Sequence, residues 1–98
     1  MFFNDQIFNE VDLEFRIAAH NVKNLSKKPT DSELLKLYGL YKQSLYGNNK
    51  TEKPDFFNFK EISKWNAWND ESGKGRSNAK KEYIDFVKIL RLKYNTVI

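Results

Sequence analysis

Apolar residues recur along this chain at steps of three and four, and no segment alternates cleanly with period two. That periodicity predicts helices rather than strands. Phe8, Val11, Phe15, Ala18, Val22 and Leu25 line one stripe and predict a first helix over roughly Phe8 to Leu25. Pro29 disfavours a helical conformation at Lys28 and closes that segment. Thr30-Asp31-Ser32-Glu33 has the form of a capping box, in which the Thr hydroxyl and the Glu carboxylate each satisfy an orphan backbone N–H. Leu34, Tyr38, Tyr41 and Leu45 follow as the stripe of a second helix, with Gly47 as its left-handed stop. Gly39 inside that helix costs about 1 kcal/mol relative to Ala, and close approach of a neighbour or ligand is one reason to keep it. A third helix is predicted from Phe59 to Asp70, where Phe59, Ile62, Trp65 and Trp68 step by three and wind around the axis. A fourth runs from Ser77, its candidate N-cap, to Tyr94, with Ala79, Tyr83, Phe86, Leu90 and Tyr94 inward.

Four amphipathic helices in so short a chain predict an all-α protein, a four-helix bundle. The connection over 47–58 is long and polar, and it suits a parallel or non-adjacent helix pair better than a simple up-down-up-down order. Phe56 and Phe57 are the candidates to staple it down. With 98 residues there is room for one domain. Aromatics make up 15% of the residues, which argues against a disordered chain, and the four Gly and two Pro argue against a turn-rich β fold.

Function classes fall away in turn. No Cys is present, so a disulfide scaffold, a thiol nucleophile and a Cys-type zinc site are excluded. His20 stands alone, so no His-based metal cluster is expected, and it reads as a polar-face residue. No P-loop, no Gly-x-Ser-x-Gly and no Gly-x-Gly-x-x-Gly occurs, and the carboxylates are scattered, so an enzyme is not expected. No stretch approaches about 18 apolar residues, and the N-terminus lacks the form of a signal peptide, so the expected compartment is cytoplasmic. The net charge of +4 is unevenly spread: residues 1–22 sum to −3 (one basic, four acidic) and residues 23–98 to +7 (sixteen basic, nine acidic). A basic body favours an anionic partner, although a solvated basic surface has the same composition.

The feature with chemical content is a set of Tyr and Lys side chains. Tyr38, Tyr41 and Lys42 share a face at i, i+3 and i+4; Lys60 and Lys64 share another; Lys23 lies late on the first helix and Tyr83 on the fourth. Ammonium groups attract phosphate through charge-assisted hydrogen bonds, and a Tyr ring can stack on a purine. With Leu34 and Leu35 one turn earlier, the combination suits a ligand with a phosphorylated nucleotide end and a greasy end. Spacing alone leaves a second reading open, because Tyr38 and Tyr41 lie on the stripe of Leu34 and Leu45 and fit a core with polar tips.

Several blocks carry a resemblance: Lys28-Pro29-Thr30-Asp31, Leu37-Tyr38-Gly39-Leu40-Tyr41-Lys42-Gln43-Ser44, Gly47-Asn48, Thr51-Glu52-Lys53-Pro54, Phe59-Lys60, Lys64-Trp65-Asn66-Ala67-Trp68-Asn69 and Tyr83-Ile84-Asp85. In this order and spacing they resemble the signature of the acyl-CoA-binding protein family over about Phe15 to Tyr94. The resemblance implies a skewed up-down-down-up bundle, with the long loop joining two parallel central helices. It implies a non-catalytic, monomeric carrier and pool former for long-chain fatty acyl-CoA such as myristoyl-CoA or palmitoyl-CoA. No cofactor, no nucleic acid and no stable membrane insertion are implied, and contact with acyl-CoA-using enzymes is transient. Residue by residue, it puts Tyr38, Lys42 and Lys64 on the ribose 3′-phosphate. Tyr41 and Tyr83 fall near the nucleotide, Lys23 and Lys60 around the head group, and Ala19, Leu34 and Leu35 along the acyl groove. Trp65 and Trp68 read as structural.

The chain departs from the family pattern at two places. Residues 1–10 extend beyond the usual start, leaving 11–96 as the expected acyl-CoA-binding domain. The fourth helix opens on Lys74-Gly75-Arg76-Ser77-Asn78 without an early carboxylate, so its dipole is less supported. Two other classes compete. A nucleic-acid-binding module would explain the basic balance but lacks a dense Arg/Lys stripe, since only three Arg occur. An interaction module would make ligand loading the gate for a partner.

Overall fold

The computed structural model describes residues 9–95, which form four α-helices. These are α1 (Glu10–Asn21), α2 (Asp31–Tyr46), α3 (Phe59–Asn69) and α4 (Arg76–Tyr94). A single 3-10 turn, Val22–Asn24, follows α1. The predicted start of the first helix at Phe8 lies outside the described residues. Its predicted end at Leu25 is too late. The α-helix stops at Asn21, the chain tightens through the 3-10 turn, and Leu25 is already extended. Ser26 N–H then donates to the Asn95 side chain, so the segment before Pro29 is fastened to the end of α4. Val22 and Leu25 still pack against the core, which is why the apolar stripe outlasts the helix.

The start of α2 is as read. Thr30 Oγ1 accepts from Glu33 N–H at 3.1 Å and Glu33 Oε1 accepts from Thr30 N–H at 2.9 Å. The helix ends at Gly47, whose φ of 77° lies in the region that favours glycine. α3 is capped by Asn58 and α1 by Asn9. The expected Ser77 cap of α4 is a correction: helical geometry begins at Arg76 after Gly75, which has no side chain to cap with. The Arg76 guanidinium donates to the Ser44 carbonyl instead and ties the start of α4 to α2.

α4 packs against both α1 and α2, whereas α3 packs against α2 alone among the described helices. Leu35 and Ser63 line the same clefts, Gly39 meets Ala67, and Tyr46 meets Trp68, so positions rise together and α2 and α3 are parallel. The core consists of Phe15 and Ala18 from α1, Leu37 and Leu40 from α2, and Tyr83, Ile84, Val87 and Leu90 from α4. On α2 the buried face is Leu37, Leu40 and Ser44, not the Leu34–Tyr38–Tyr41–Leu45 stripe. That stripe is the flank of the helix, with Tyr41 exposed and the others half-buried.

The 47–58 connection is held by polar contacts and not by the two phenylalanines expected to staple it. Phe56 and Phe57 are exposed. The Trp68 indole N–H donates to the Gly47 carbonyl at 2.8 Å and the Trp65 indole N–H to the Thr51 carbonyl at 3.0 Å. Asn48 Oδ1 accepts from both the Gln43 side chain and Gly73 N–H. Both tryptophans thus serve the frame, as read from the sequence, and they do so through indole N–H groups. Beside them, Glu71 is buried at the end of α3 between the Lys36 and Lys74 ammonium groups, at 2.7 and 2.5 Å. Burial pushes the Glu71 carboxyl up, and the two ammonium partners outweigh it, leaving the pKa below the usual carboxylate range.

Candidate functional site

Two clefts adjoin along the exposed flank of α2. The first, about 590 Å³, is lined by Lys28, Asp31, Leu34, Leu35 and Tyr38 on one side and Lys60, Ser63 and Lys64 of α3 on the other. The second, about 500 Å³, lies between α2, α1 and α4 and is lined by Ala19, Val22, Lys23, Leu34, Leu37, Tyr38, Tyr41 and Tyr83. Leu34 and Tyr38 belong to both, so the two form one continuous surface. Helical spacing explains the arrangement. Residues 34, 38 and 41 rise up one side of α2, which the core and α3 cover only in part: Leu34 packs against the core and Tyr41 stacks on Phe15, while the Lys64 ammonium of α3 lies over Tyr38.

Nine of the ten residues singled out in the sequence line these clefts. Lys42 is the tenth, and it sits on the rim: its ammonium lies 5.8 Å from the Tyr38 ring, 5.0 Å from Tyr46 and 5.3 Å from Trp68. The Lys64 ammonium lies 5.1 Å from the same Tyr38 ring. Two cations therefore flank one phenol, each held over an aromatic face. On the other side of Tyr38, Tyr41 stacks on Phe15 with centroids 5.6 Å apart, and Tyr83 meets Phe15 edge-on at 5.1 Å. Tyr83 is buried, and that burial, reinforced by Tyr41, pushes its phenol up to about 12. Its hydroxyl remains protonated and available as a neutral donor across the physiological range.

Most of the lysines of the clefts are not paired with a carboxylate among the described residues. Lys36, Lys74, Lys80 and Lys93 all pair with carboxylates at 2.5–2.8 Å. Lys23, Lys28, Lys42 and Lys60 have no carboxylate partner among the described residues, and Lys64 has only a 3.5 Å contact with Glu61. The lysines that stitch the frame are thus distinct from those that ring the clefts. Beside the free ammonium groups lie Leu34, Leu35 and Ala19, so one surface offers a cationic and an apolar half. Among the described residues no group of His, Asp and Glu is arranged to hold a metal ion.

The sequence reading missed Lys28, Asp31, Ser63, Val22 and Leu37 as cleft-lining residues. Lys28 and Asp31 lay in the helix-start motif, whose capping signal masks a second role. Ser63 bears no signal of its own and is found only by turning α3 against α2. Phe15 was assigned to the core, where it lies, yet it is also the ring on which Tyr41 rests.

An all-helical frame with a cationic and apolar cleft on one flank defines a small ligand-binding bundle. Comparison with known proteins narrows this. The family model for acyl CoA binding protein matches residues 12–87. The Drosophila melanogaster acyl-CoA-binding protein homolog is 46% identical over 84 residues, which is 86% of this chain and 98% of that protein. The Saccharomyces cerevisiae acyl-CoA-binding protein is 46% identical over 82 residues, 84% of this chain and 94% of the relative. The crystal structure of Oryza sativa acyl-CoA-binding protein 2 superposes with a TM-score of 0.82 at 37% identity, covering 85% of this chain and 90% of that one. The chain belongs to the acyl-CoA-binding protein family, a family of binding proteins and not of enzymes. The skewed bundle with parallel central helices is that family's fold.

Proposed function

We propose that this protein binds long-chain fatty acyl-CoA esters and acts as an intracellular, monomeric carrier and pool former for them. The observation that carries the proposal is the pair of ammonium groups against Tyr38, Lys42 without a carboxylate partner among the described residues and Lys64 with only a 3.5 Å contact to Glu61, beside a cleft lined by Leu34 and Leu35. A CoA ester has that same division, with several phosphate charges at one end and a hydrocarbon chain at the other. Tyr38, Lys42 and Lys64 would hold the ribose 3′-phosphate, with Lys23 and Lys60 adding charge around the head group. Tyr41 and Tyr83 would pack near the nucleotide, Tyr83 as a neutral phenol. Leu34, Leu35 and Ala19 would line the acyl groove. Residues 11–96 would be the acyl-CoA-binding domain and 1–10 an extension. No helix among the described residues is long and apolar enough to cross a membrane. We place the carrier in the cytoplasm, exchanging ligand with acyl-CoA-using enzymes by transient contact.

The chemistry of the two halves supports a shared load. A hydrogen bond to a charged group contributes roughly 1.5–3 kcal/mol, and each buried methylene about 0.8 kcal/mol. The phosphate assignment is tested by titrating palmitoyl-CoA and its 3′-dephospho analogue into the wild-type protein and Lys64→Ala. Removing the phosphate or the lysine alone should each weaken binding about tenfold or more. The two losses should overlap when combined. If Lys64→Ala costs as much against the dephospho ester as against the complete one, Lys64 does not hold that phosphate.

A further inference from the structure

Tyr46 ends α2, 64% exposed, and lines neither cleft. Its ring leans on that of Trp68, with centroids 6.1 Å apart and planes tilted by 51°. Trp68 is fixed from behind: it is buried, and its indole N–H donates to the Gly47 carbonyl at 2.8 Å. The Lys42 ammonium lies over both rings, 5.0 Å from the Tyr46 centroid and 5.3 Å from that of Trp68. Tyr38, one turn earlier on the same face, brings a third ring at 5.8 Å. Tyr38, Lys42 and Tyr46 recur at steps of four, which is the trace of this arrangement in the sequence. Among the described residues Lys64 faces one ring, and the other cleft lysines, Lys23, Lys28 and Lys60, face none.

We infer that Tyr46 is a positioning residue, which together with Trp68 holds the Lys42 ammonium at the rim of the cleft for an incoming phosphate. The geometry stands by itself; that the anion is a phosphate of an acyl-CoA rests on the function proposed above. A lysine stem is long and flexible, and freezing it when a ligand arrives costs entropy. A carboxylate fixes such a stem in advance, as Glu71 does for Lys36 and Lys74, but it cancels the charge and occupies the donors. A ring face attracts the ammonium through its quadrupole and leaves the charge in place. Lys42 has no carboxylate partner among the described residues, so its N–H groups stay open to phosphate oxygens. Tyr46 reaches the ligand only through Lys42, because it lies outside the cleft lining.

The test separates a tyrosine that holds a lysine from one that only packs. Wild-type protein, Tyr46→Leu, Tyr46→Phe, Lys42→Ala and the combination of Tyr46→Leu with Lys42→Ala are titrated with palmitoyl-CoA below its micellar concentration. Tyr46→Leu keeps apolar bulk but loses the ring face, and should weaken binding about two- to fivefold. Tyr46→Phe keeps the face and should bind as the wild type does. In the Lys42→Ala background, Tyr46→Leu should cost nothing further. The second readout needs no ligand. In proton NMR the Lys42 ε-methylene protons, shielded by the ring faces, should lie upfield of an ordinary lysine in the wild type and in Tyr46→Phe. They should move back towards the ordinary position in Tyr46→Leu. Wild-type protein that fails to bind the ester refutes the proposed ligand, and the spectrum then decides the positioning alone. Unshifted Lys42 protons in the wild type overturn the inference, as does a Tyr46→Leu protein that binds as tightly as the wild type. An equal loss from Tyr46→Leu with and without Lys42 also overturns it, because the tyrosine would then act on the ligand or the frame directly.

Discussion

Replacing Gly39 by Ala sets helix propensity against packing, and the two predict opposite signs. In an exposed helix the change should stabilise the protein by about 1 kcal/mol. In this fold a Cβ at position 39 would lie 2.3 Å from the Ala67 carbonyl oxygen and 2.8 Å from its carbon. Real Cβ contacts essentially never fall below 3.0 Å, so α2 and α3 must separate by about 0.7 Å or more along that line. The obstacle is backbone and cannot rotate away. Overpacking of this kind costs about 1–3 kcal/mol, and a clash with backbone belongs at the upper end. After the propensity gain, the net loss should be about 2 kcal/mol. For a domain of this size that lowers the thermal midpoint by about 10 °C. Because Tyr38 and Lys64 face each other across the same seam, ligand affinity should fall as well. Urea unfolding followed by Trp fluorescence measures the first effect and calorimetric titration the second. A Gly39→Ala protein as stable as the wild type, or more stable, would refute the close approach of the two helices.

The remaining predictions concern pH and chain length. Lys93, Tyr94 and the Thr30 N–H hold Glu33 down to about 2 from 4.5, and Glu71 is also lowered. Folded pKa values below the unfolded ones mean that this stabilisation is complete above about 4.5 and is lost as pH falls through the folded values. The urea midpoint should therefore drop on acidification from pH 5 towards about 2, and Glu71→Gln should flatten that decline; a midpoint independent of pH there would contradict the pairing. Affinity should climb with acyl length, by about 0.8 kcal/mol per methylene, until the groove is full. A flat response from octanoyl- to palmitoyl-CoA would exclude an acyl groove at Leu34 and Leu35.

The helices were legible because their signals are local. The capping box at Thr30 and Glu33 and the stop at Gly47 depend only on neighbours a few residues away, and both stand as read. Less legible was which side of α2 is the core. The Leu34–Tyr38–Tyr41–Leu45 stripe has helical spacing, yet Leu37, Leu40 and Ser44 are the buried set. A face rich in Tyr is equally apolar in pattern whether it meets a core or a cleft, and only the position of α4 decides. The reason for Gly39 is likewise tertiary, since nothing in α2 itself records Ala67. The loop staple was misassigned because Phe56 and Phe57 advertise burial by type. The indole N–H groups that fasten the loop belong to α3, 14 and 21 residues from their acceptors. The site residues came from the family resemblance more than from spacing, since their separation along the chain from Ala19 to Tyr83 carries no periodic signal.

The most direct test of the central claim is a calorimetric titration of the wild-type protein with palmitoyl-CoA, free CoA and palmitate, each below its micellar concentration. The division of the cleft into a cationic and an apolar half predicts one tight site for the ester and much weaker binding of either half alone. Ester binding no stronger than that of free CoA would contradict it, because the apolar half would then contribute nothing.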